Sequence, residues 1–282
     1  VIGRVYEPGS VLKPIMIGIA MENGYVTSGS IFRCGGSIRI ADHTIREVGG
    51  RAHGTEDIYK IIINSCNVGM AQIGMMMPVN FTYNALRSWG FGVPTGIELP
   101  GEEDGLLPLP SQWWGVVPAN IALGQGIAIT PIQLAQAFSA IANGGVLVRP
   151  YLTKAVFDGN GEEVYYGQRR EVARVLSPQT AKMMRNALRR AVVEGTGKRA
   201  DVEAVKVAGK TGTAQVAHRG QYLKDVHVAS FAGFWPYDNP NYVLVIVLGN
   251  PREKGYMAGA IAAPIFKSIV EEMISTGLEL NN

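Results

Sequence analysis

The 282-residue chain has little cysteine, little histidine and no long apolar run. Two cysteines, Cys34 and Cys66, are too few for a disulfide framework, and two free thiols are the expected state. The four histidines, His43, His53, His218 and His227, are scattered without metal-ligand spacing, so no zinc site is expected. No stretch approaches the roughly 20 apolar residues that cross a bilayer. The apolar run at 15–21 is short and follows a lysine and a proline, unlike a signal peptide. Charge is sparse too. Only 17% of residues are charged, the net charge is +3, and no basic run exists, which argues against nucleic acid as a partner. Val1 rather than methionine opens the chain, which suggests a processed or trimmed polypeptide.

With 47% apolar residues the chain can bury a sizeable core, in one large domain or two intimate lobes. Glu7-Pro8-Gly9-Ser10 reads as a turn feeding a helix of about four turns that stops at Asn23-Gly24. Residues 25–54 predict loops and short ribbons. A helix is expected from about 55 to 77, interrupted near 64–67, and another over 81–89. Residues 94–126 are rich in proline and glycine and read as loop. Thr130-Pro131 and Ser177-Pro178 each place an N-cap before a proline at the first helical position. Strands are expected at 204–208, 226–235 and 242–249, then an amphipathic helix over 258–274. The pattern implies an α/β lobe (about 1–54 and 196–282) built from both termini, with a helical lobe (about 55–195) inserted between them.

Three short motifs carry chemistry. In Ser10-Val11-Leu12-Lys13, positions i and i+3 share a helix face, so a hydroxyl and an amine can meet. Serine needs a base to become a nucleophile, and the first turn of a helix offers free N–H groups to an oxyanion. In Ser65-Cys66-Asn67, a hydroxyl and a carboxamide stand two apart, able to bridge a lysine and a substrate amide. Cys66 reads as a small buried residue beside the site. In Lys210-Thr211-Gly212-Thr213, an ammonium and two hydroxyls can hold a carboxylate, while glycine admits a ligand backbone. Each motif alone is weak, and a surface pair or a local cap explains the first two equally well. A phosphate loop at Gly209-Lys210-Thr211 would need a glycine where Ala204 stands, so that reading fails. Trp113-Trp114 reads as loop packing, with a rim of a substrate groove as the alternative.

Taken together and in this order, the motifs form the Ser-x-x-Lys, Ser-x-Asn, Lys-Thr-Gly set of serine enzymes that act on β-lactams. Nearly the whole chain resembles the class B (monofunctional) penicillin-binding proteins. The resemblance extends to Tyr6-Glu7-Pro8-Gly9-Ser10, Asn67-Val68-Gly69, Gly124-Gln125-Gly126, Thr130-Pro131-Ile132-Gln133-Leu134-Ala135, Ala142-Asn143-Gly144-Gly145 and residues 209–215. Residues 259–266, with Ala263-Pro264-Ile265-Phe266, are similar to the division-associated rather than the elongation subgroup.

The resemblance implies a serine β-lactamase/transpeptidase-like α/β (α+β) fold, an antiparallel sheet packed by helices plus an inserted all-helical lobe. It implies a D,D-transpeptidase acting on the D-Ala-D-Ala ends of peptidoglycan stem peptides and acylated by β-lactams. Ser10 would be the nucleophile, Lys13 its base, and Ser65 a proton relay. Asn67 would hold the substrate amide, and Lys210 would set the local field. Thr211 and Thr213, with Gly212 between them, would bind the terminal carboxylate, and the amides of Ser10 and Thr213 would form the oxyanion hole. No cofactor or metal is called for. The resemblance also implies a membrane anchor, with the catalytic part soluble on the outer face, a non-catalytic pedestal, a membrane-embedded glycan-strand polymerase as partner, and a helix and two sheet strands ahead of Ser10. A D,D-carboxypeptidase or β-lactamase on the same scaffold, and a non-catalytic β-lactam sensor, are the competing readings. No deacylating carboxylate is identifiable in the sequence.

Overall fold

The computed structural model describes residues 1–218, 221–252 and 255–277. The chain enters through a bridge in which Tyr6 exchanges both backbone hydrogen bonds with Ile129. A 3-10 turn, Gly9–Leu12, runs directly into α1 (Lys13–Glu22). Together they make the expected four-turn helix, and it ends where Gly24 takes a positive φ of 74°. Eight of the ten α1 residues are buried, so this segment is the axis of the core rather than an amphipathic surface helix.

Four short strands follow: β1 (Ile31–Cys34), β2 (Ser37–Ile40), β3 (His43–Arg46) and β4 (Gly54–Asp57). They form two separate antiparallel pairs, β1 with β4 and β2 with β3. Residues 55–57, expected to begin a helix, lie in β4 instead, and the Asp57 carboxylate caps α2 (Ile58–Asn64) by accepting from the Lys60 amide at 2.8 Å. The chain then breaks sharply. Ser65 is left-handed, with φ 59°, and Cys66 serves as N-cap of α3 (Asn67–Met76), its sulfur accepting from the Gly69 amide at 3.2 Å.

α4 (Val79–Ser88) follows, and the loop-rich stretch holds one helix that turn residues concealed, α5 (Val117–Leu123). Pro118 sits in its first turn, where a missing N–H costs nothing. α6 (Pro131–Ala142) opens on a capping box, with Thr130 and Gln133 exchanging side-chain and backbone hydrogen bonds. Four more short strands, β5 (Val146–Arg149), β6 (Ala155–Phe157), β7 (Glu163–Tyr166) and β8 (Arg170–Arg174), pair as β5 with β8 and β6 with β7. The region 55–195 therefore carries strands as well as helices, closing with α7 (Pro178–Val193).

The C-terminal third supplies the main sheet, in the order β11-β10-β9, from β9 (Ala208–His218), β10 (Gln221–Trp235) and β11 (Tyr242–Gly249). The strand expected at 204–208 begins only at Ala208, so Lys210 to Thr213 lie within β9 rather than after it. α8 (Ala258–Ser275) covers one face, where Phe231, Trp235 and Phe266 pack as tilted and edge-on rings. The other face joins the larger core around α1, α3 and α6. Among the described residues no helix is long and apolar enough to cross a membrane.

Candidate active site

A groove of about 720 Å³ opens between β9, the turn carrying Ser10 and the α2–α3 corner. Ser10, Ser65, Asn67, Thr211 and Thr213 all line it. Alternation along β9 turns Thr211, Thr213 and Gln215 to the groove and sends Lys210 and Gly212 beneath it. Of the sequence-predicted residues, Lys13 and Lys210 are wholly buried and meet the groove through other groups.

The turn that carries Ser10 is clamped from both sides. The Lys13 amide bonds to the Ser10 carbonyl, stacking the two residues on one face. On one flank, the Gly9 amide bonds to the Gly124 carbonyl at 2.9 Å, so close that a Cβ on Gly124 would stand 2.1 Å from the Gly9 oxygen. On the other flank lies Gly212. Its missing side chain is filled by the protein itself: a Cβ there would meet the Pro8 carbonyl and Ser230 Oγ at 2.7 Å and Val11 at 2.9 Å. The glycine of Lys-Thr-Gly therefore seats the strand on the Ser10 turn, rather than clearing room for a ligand backbone. We expect Gly212→Val to destabilise the chain by about 1–3 kcal/mol through overpacking, read as a shift in the urea midpoint. An unchanged midpoint would show that the strand can move away.

Behind the hydroxyls, two amines share one serine. Lys13 Nζ donates to the Ser65 carbonyl at 2.6 Å and to Asn67 Oδ1 at 2.7 Å, and lies 3.5 Å from Ser65 Oγ. Lys210 Nζ donates to Ser65 Oγ at 3.0 Å and to the Thr211 carbonyl at 3.1 Å. Burial pushes the Lys13 amine down to about 8, against the opposing pull of Glu47 and Cys66. Burial lowers the Lys210 amine well below the usual lysine range, and the Lys13 charge beside it adds to that. Two buried ammonium groups around one hydroxyl repel, so the pair readily gives up one of its two protons.

Asn67 is held at both ends, since its Nδ2 donates to the Arg46 carbonyl at 3.0 Å. Thr211 Oγ1 pairs with Thr196 Oγ1 at 2.7 Å, and Thr213 Oγ1 accepts from the Ala258 amide at 3.1 Å. Sequence reasoning missed Thr196, and also the stacked rings of His227 and Tyr256 on the wall, 4.0 Å apart. These residues are far apart in the chain and share no motif. Arg51, Lys198 and Arg199 also line the groove and give it a cationic rim suited to carboxylates. Trp113 packs edge-on to Tyr83 and donates to the Pro108 carbonyl, while Trp114 is exposed, and neither lines the groove.

Both cysteines are free, as expected, and both are buried, but Cys66 is no passive filler. Its thiol donates to Glu47 Oε1 at 3.1 Å while its sulfur caps α3. The expectation of no metal-ligand grouping holds along the chain but not in space, because the fold brings His53 together with Cys34, Glu47 and Cys66.

Residues 1–271 match the family model described as the penicillin binding protein transpeptidase domain. The chain belongs to this family. The transpeptidase domain is 36% identical over 271 residues to stage V sporulation protein D of Bacillus subtilis, covering 95% of this chain and 42% of that protein. It is 30% identical over 273 residues to peptidoglycan D,D-transpeptidase FtsI of Escherichia coli, covering 96% and 44%. Among solved structures, it superposes on penicillin-binding protein 3 of Mycobacterium tuberculosis complexed with aztreonam, with a TM-score of 0.88 and 34% identity, covering all of this chain and 65% of that one. The transpeptidase domain thus spans less than half the length of these two curated relatives.

Proposed function

We propose that the chain is the catalytic part of a peptidoglycan D,D-transpeptidase of the class B type. The observation that carries this reading is Ser65 Oγ standing between two fully buried amines, at 3.5 Å from Lys13 and 3.0 Å from Lys210, on the wall of the groove that Ser10 lines. Neutral Lys13 takes the Ser10 proton as Ser10 Oγ attacks the penultimate D-alanine carbonyl. The amides of Ser10 and Thr213 receive the oxyanion. The C–N bond then breaks, and the terminal D-alanine leaves with a proton passed through Ser65. An acceptor amine attacks the resulting ester and frees Ser10. Thr211, Thr213 and the cationic rim hold the substrate carboxylate, and Asn67 offers its remaining amide hydrogen to the donor peptide. A β-lactam enters the same sequence but keeps its leaving group tethered.

Glu47 is the one carboxylate lining the groove among the described residues, and its Oε1 is already committed to the Val68 amide at 2.7 Å and to the thiols. That supports a long-lived acyl-enzyme over a hydrolase, which needs a free base to activate water. Incubation with benzylpenicillin, followed by intact mass and peptide mapping, tests the reading. We expect one adduct on the peptide containing Ser10, lasting hours. Turnover within a second, or an adduct elsewhere, would overturn it. Transfer of a D-Ala-D-Ala donor peptide to an added amine then separates a transpeptidase from a non-catalytic sensor.

The two amines also set a pH expectation. Burial rather than the Lys210 charge lowers the Lys13 amine, while the Lys210 amine is lowered by its own burial and by the Lys13 charge. Lys210→Ala should therefore slow acylation, through loss of the donor to Ser65 Oγ, and leave the rising limb of the pH profile where Lys13 sets it. An upward move of the limb would show that Lys210 carries the charge that lowers Lys13.

By resemblance, this part works in a longer, membrane-anchored protein on the outer face of the cell, beside a membrane-embedded glycan-strand polymerase. Residues 259–266 favour the division-associated subgroup. β11 is one of the two outer strands of the main sheet among the described residues, and it offers an edge to the helix-and-strand segment that the resemblance implies.

A further inference from the structure

The polar ring around Lys210 is closed by a residue from outside the three motifs. Thr196 lies in the turn that follows α7. Its Oγ1 stands 2.7 Å from Thr211 Oγ1 and accepts from Lys210 Nζ at 3.5 Å. The same amine reaches Ser65 Oγ at 3.0 Å and Thr211 Oγ1 at 3.4 Å. Thr196 and Thr211 both line the groove.

The backbone leaves Thr196 little room to move. Its amide donates to the Ile63 carbonyl at 3.3 Å, and a Cβ on Gly195 would stand 2.3 Å from that same oxygen. The Gly197 amide donates to the Ala191 carbonyl at 3.0 Å. On the far side, a Cβ on Gly259 would stand 2.8 Å from the Thr196 carbonyl oxygen. The turn is thus wedged between the end of α2 and the start of α8. Among the described residues the Thr196 hydroxyl bonds only to Thr211 and Lys210, so capping of α7 does not account for it.

A hydroxyl carries one proton and can accept as well as donate. If Thr211 gives its proton to Thr196, none is left for a carboxylate, which only accepts. If Thr196 gives instead, the Thr211 proton turns to the groove. Thr213, two residues on along the same face of β9, shows the second arrangement without ambiguity. Its Oγ1 accepts from the Ala258 amide at 3.1 Å, and a backbone amide only donates, so the Thr213 proton stays available to the groove. For Thr211 the matching donor from behind is Thr196.

We propose that Thr196 is a positioning residue for carboxylate recognition, donating to Thr211 Oγ1 and so aiming the Thr211 proton at the terminal carboxylate of the donor peptide or of a β-lactam. Thr196 acts through Thr211, and no bond is made or broken at it. A hydroxyl that accepts from a neighbour is the stronger donor to the next group. The inference rests on the reading of Thr211 and Thr213 as carboxylate binders.

Stopped-flow acylation by benzylpenicillin and by its methyl ester, which carries no carboxylate, is the test. Thr196→Val keeps the shape and removes the hydroxyl, and it should slow second-order acylation by benzylpenicillin by about 3–10-fold. The loss should fall on the concentration giving half the limiting rate, because the carboxylate is held equally before and during attack. Acylation by the methyl ester should change by less than about twofold, since a neutral acceptor gains less from an aimed donor. Thr196→Ser keeps the hydroxyl and should return benzylpenicillin to within about twofold of the unaltered chain. Placed on Thr211→Val, the Thr196→Val change should add nothing further, as expected of two residues that act through one hydroxyl. An equal loss for acid and ester, a failed rescue by serine, or a full further loss on Thr211→Val would overturn the assignment. So would a Thr196→Val chain that reacts like the unaltered one, and in that case the active-site reading survives. An unaltered chain that benzylpenicillin does not acylate at Ser10 would bring down both.

Discussion

A Ser10→Ala chain incubated with benzylpenicillin should return its own mass, with no covalent adduct at any time or concentration at which the unaltered chain is fully labelled. The expectation rests on position as much as on chemistry. Ser10 is the second residue of the turn Gly9–Leu12, held between the Gly124 carbonyl on one side and the Gly212 backbone on the other. Ser10 lines the groove, next to the strand whose Thr211 and Thr213 also line it. Ser65 also lines this groove, but its Oγ accepts from Lys210 and lies at the corner behind. In the proposed mechanism it is a relay, and it should not stand in as nucleophile. The substitution removes one oxygen from a half-buried position and leaves the clamp intact, so the melting temperature should stay within about 2–4 °C of the unaltered chain. Labelling of the Ser10→Ala chain by penicillin would remove the nucleophile and the mechanism built on it.

The second large effect belongs to Lys13. An ordinary lysine at pH 7 is almost wholly protonated and cannot accept the serine proton. Burial brings this amine from 10.5 to about 8, which corresponds to about 3 kcal/mol in favour of the neutral form and raises the free-base fraction about 300-fold. Because the neutral amine is the active form, acylation by the unaltered chain should rise as pH climbs through about 8 and level off above it. Lys13→Ala should lower the acylation rate by about 10²–10⁴-fold, the range for loss of a general base, and flatten that limb. Lys13→Arg keeps a cation near the Ser65 carbonyl and Asn67 but cannot give up a proton, so it should be slow as well. Stopped-flow acylation with a chromogenic β-lactam across pH 6–10, with circular dichroism to check folding, reads all three. Less than a tenfold loss in both variants would pass the base role to another group.

The same burial argument marks where reading along the chain succeeds and where it stops. Caps and turn residues act over three or four positions, so the starts at Thr130-Pro131 and Ser177-Pro178 and the stop at Gly24 could be read locally. α5 was hidden because its seven residues sit among prolines and glycines, and its helix is held by packing on α3 rather than by its own pattern. The strand bearing Lys210 begins at Ala208 rather than within the expected 204–208, and it runs through Gly209 and Gly212. Their real office is close packing against Phe231 and the Pro8 carbonyl, which no neighbour in sequence announces.

From the sequence alone, a candidate nucleophile and base, the serine–asparagine pair and the lysine–threonine–glycine motif could be named, because each motif is a short-range unit with its own chemistry. Only the folded chain decided how they act together. It sank Lys13 and Lys210 out of water around one hydroxyl, turned Gly212 inward, added Thr196, His227 and Tyr256 to the wall, and gathered Cys34, Glu47, His53 and Cys66 into one buried group. Desolvation and the meeting of charges depend on what lies within a few ångströms in space. Neighbours along a chain do not report it.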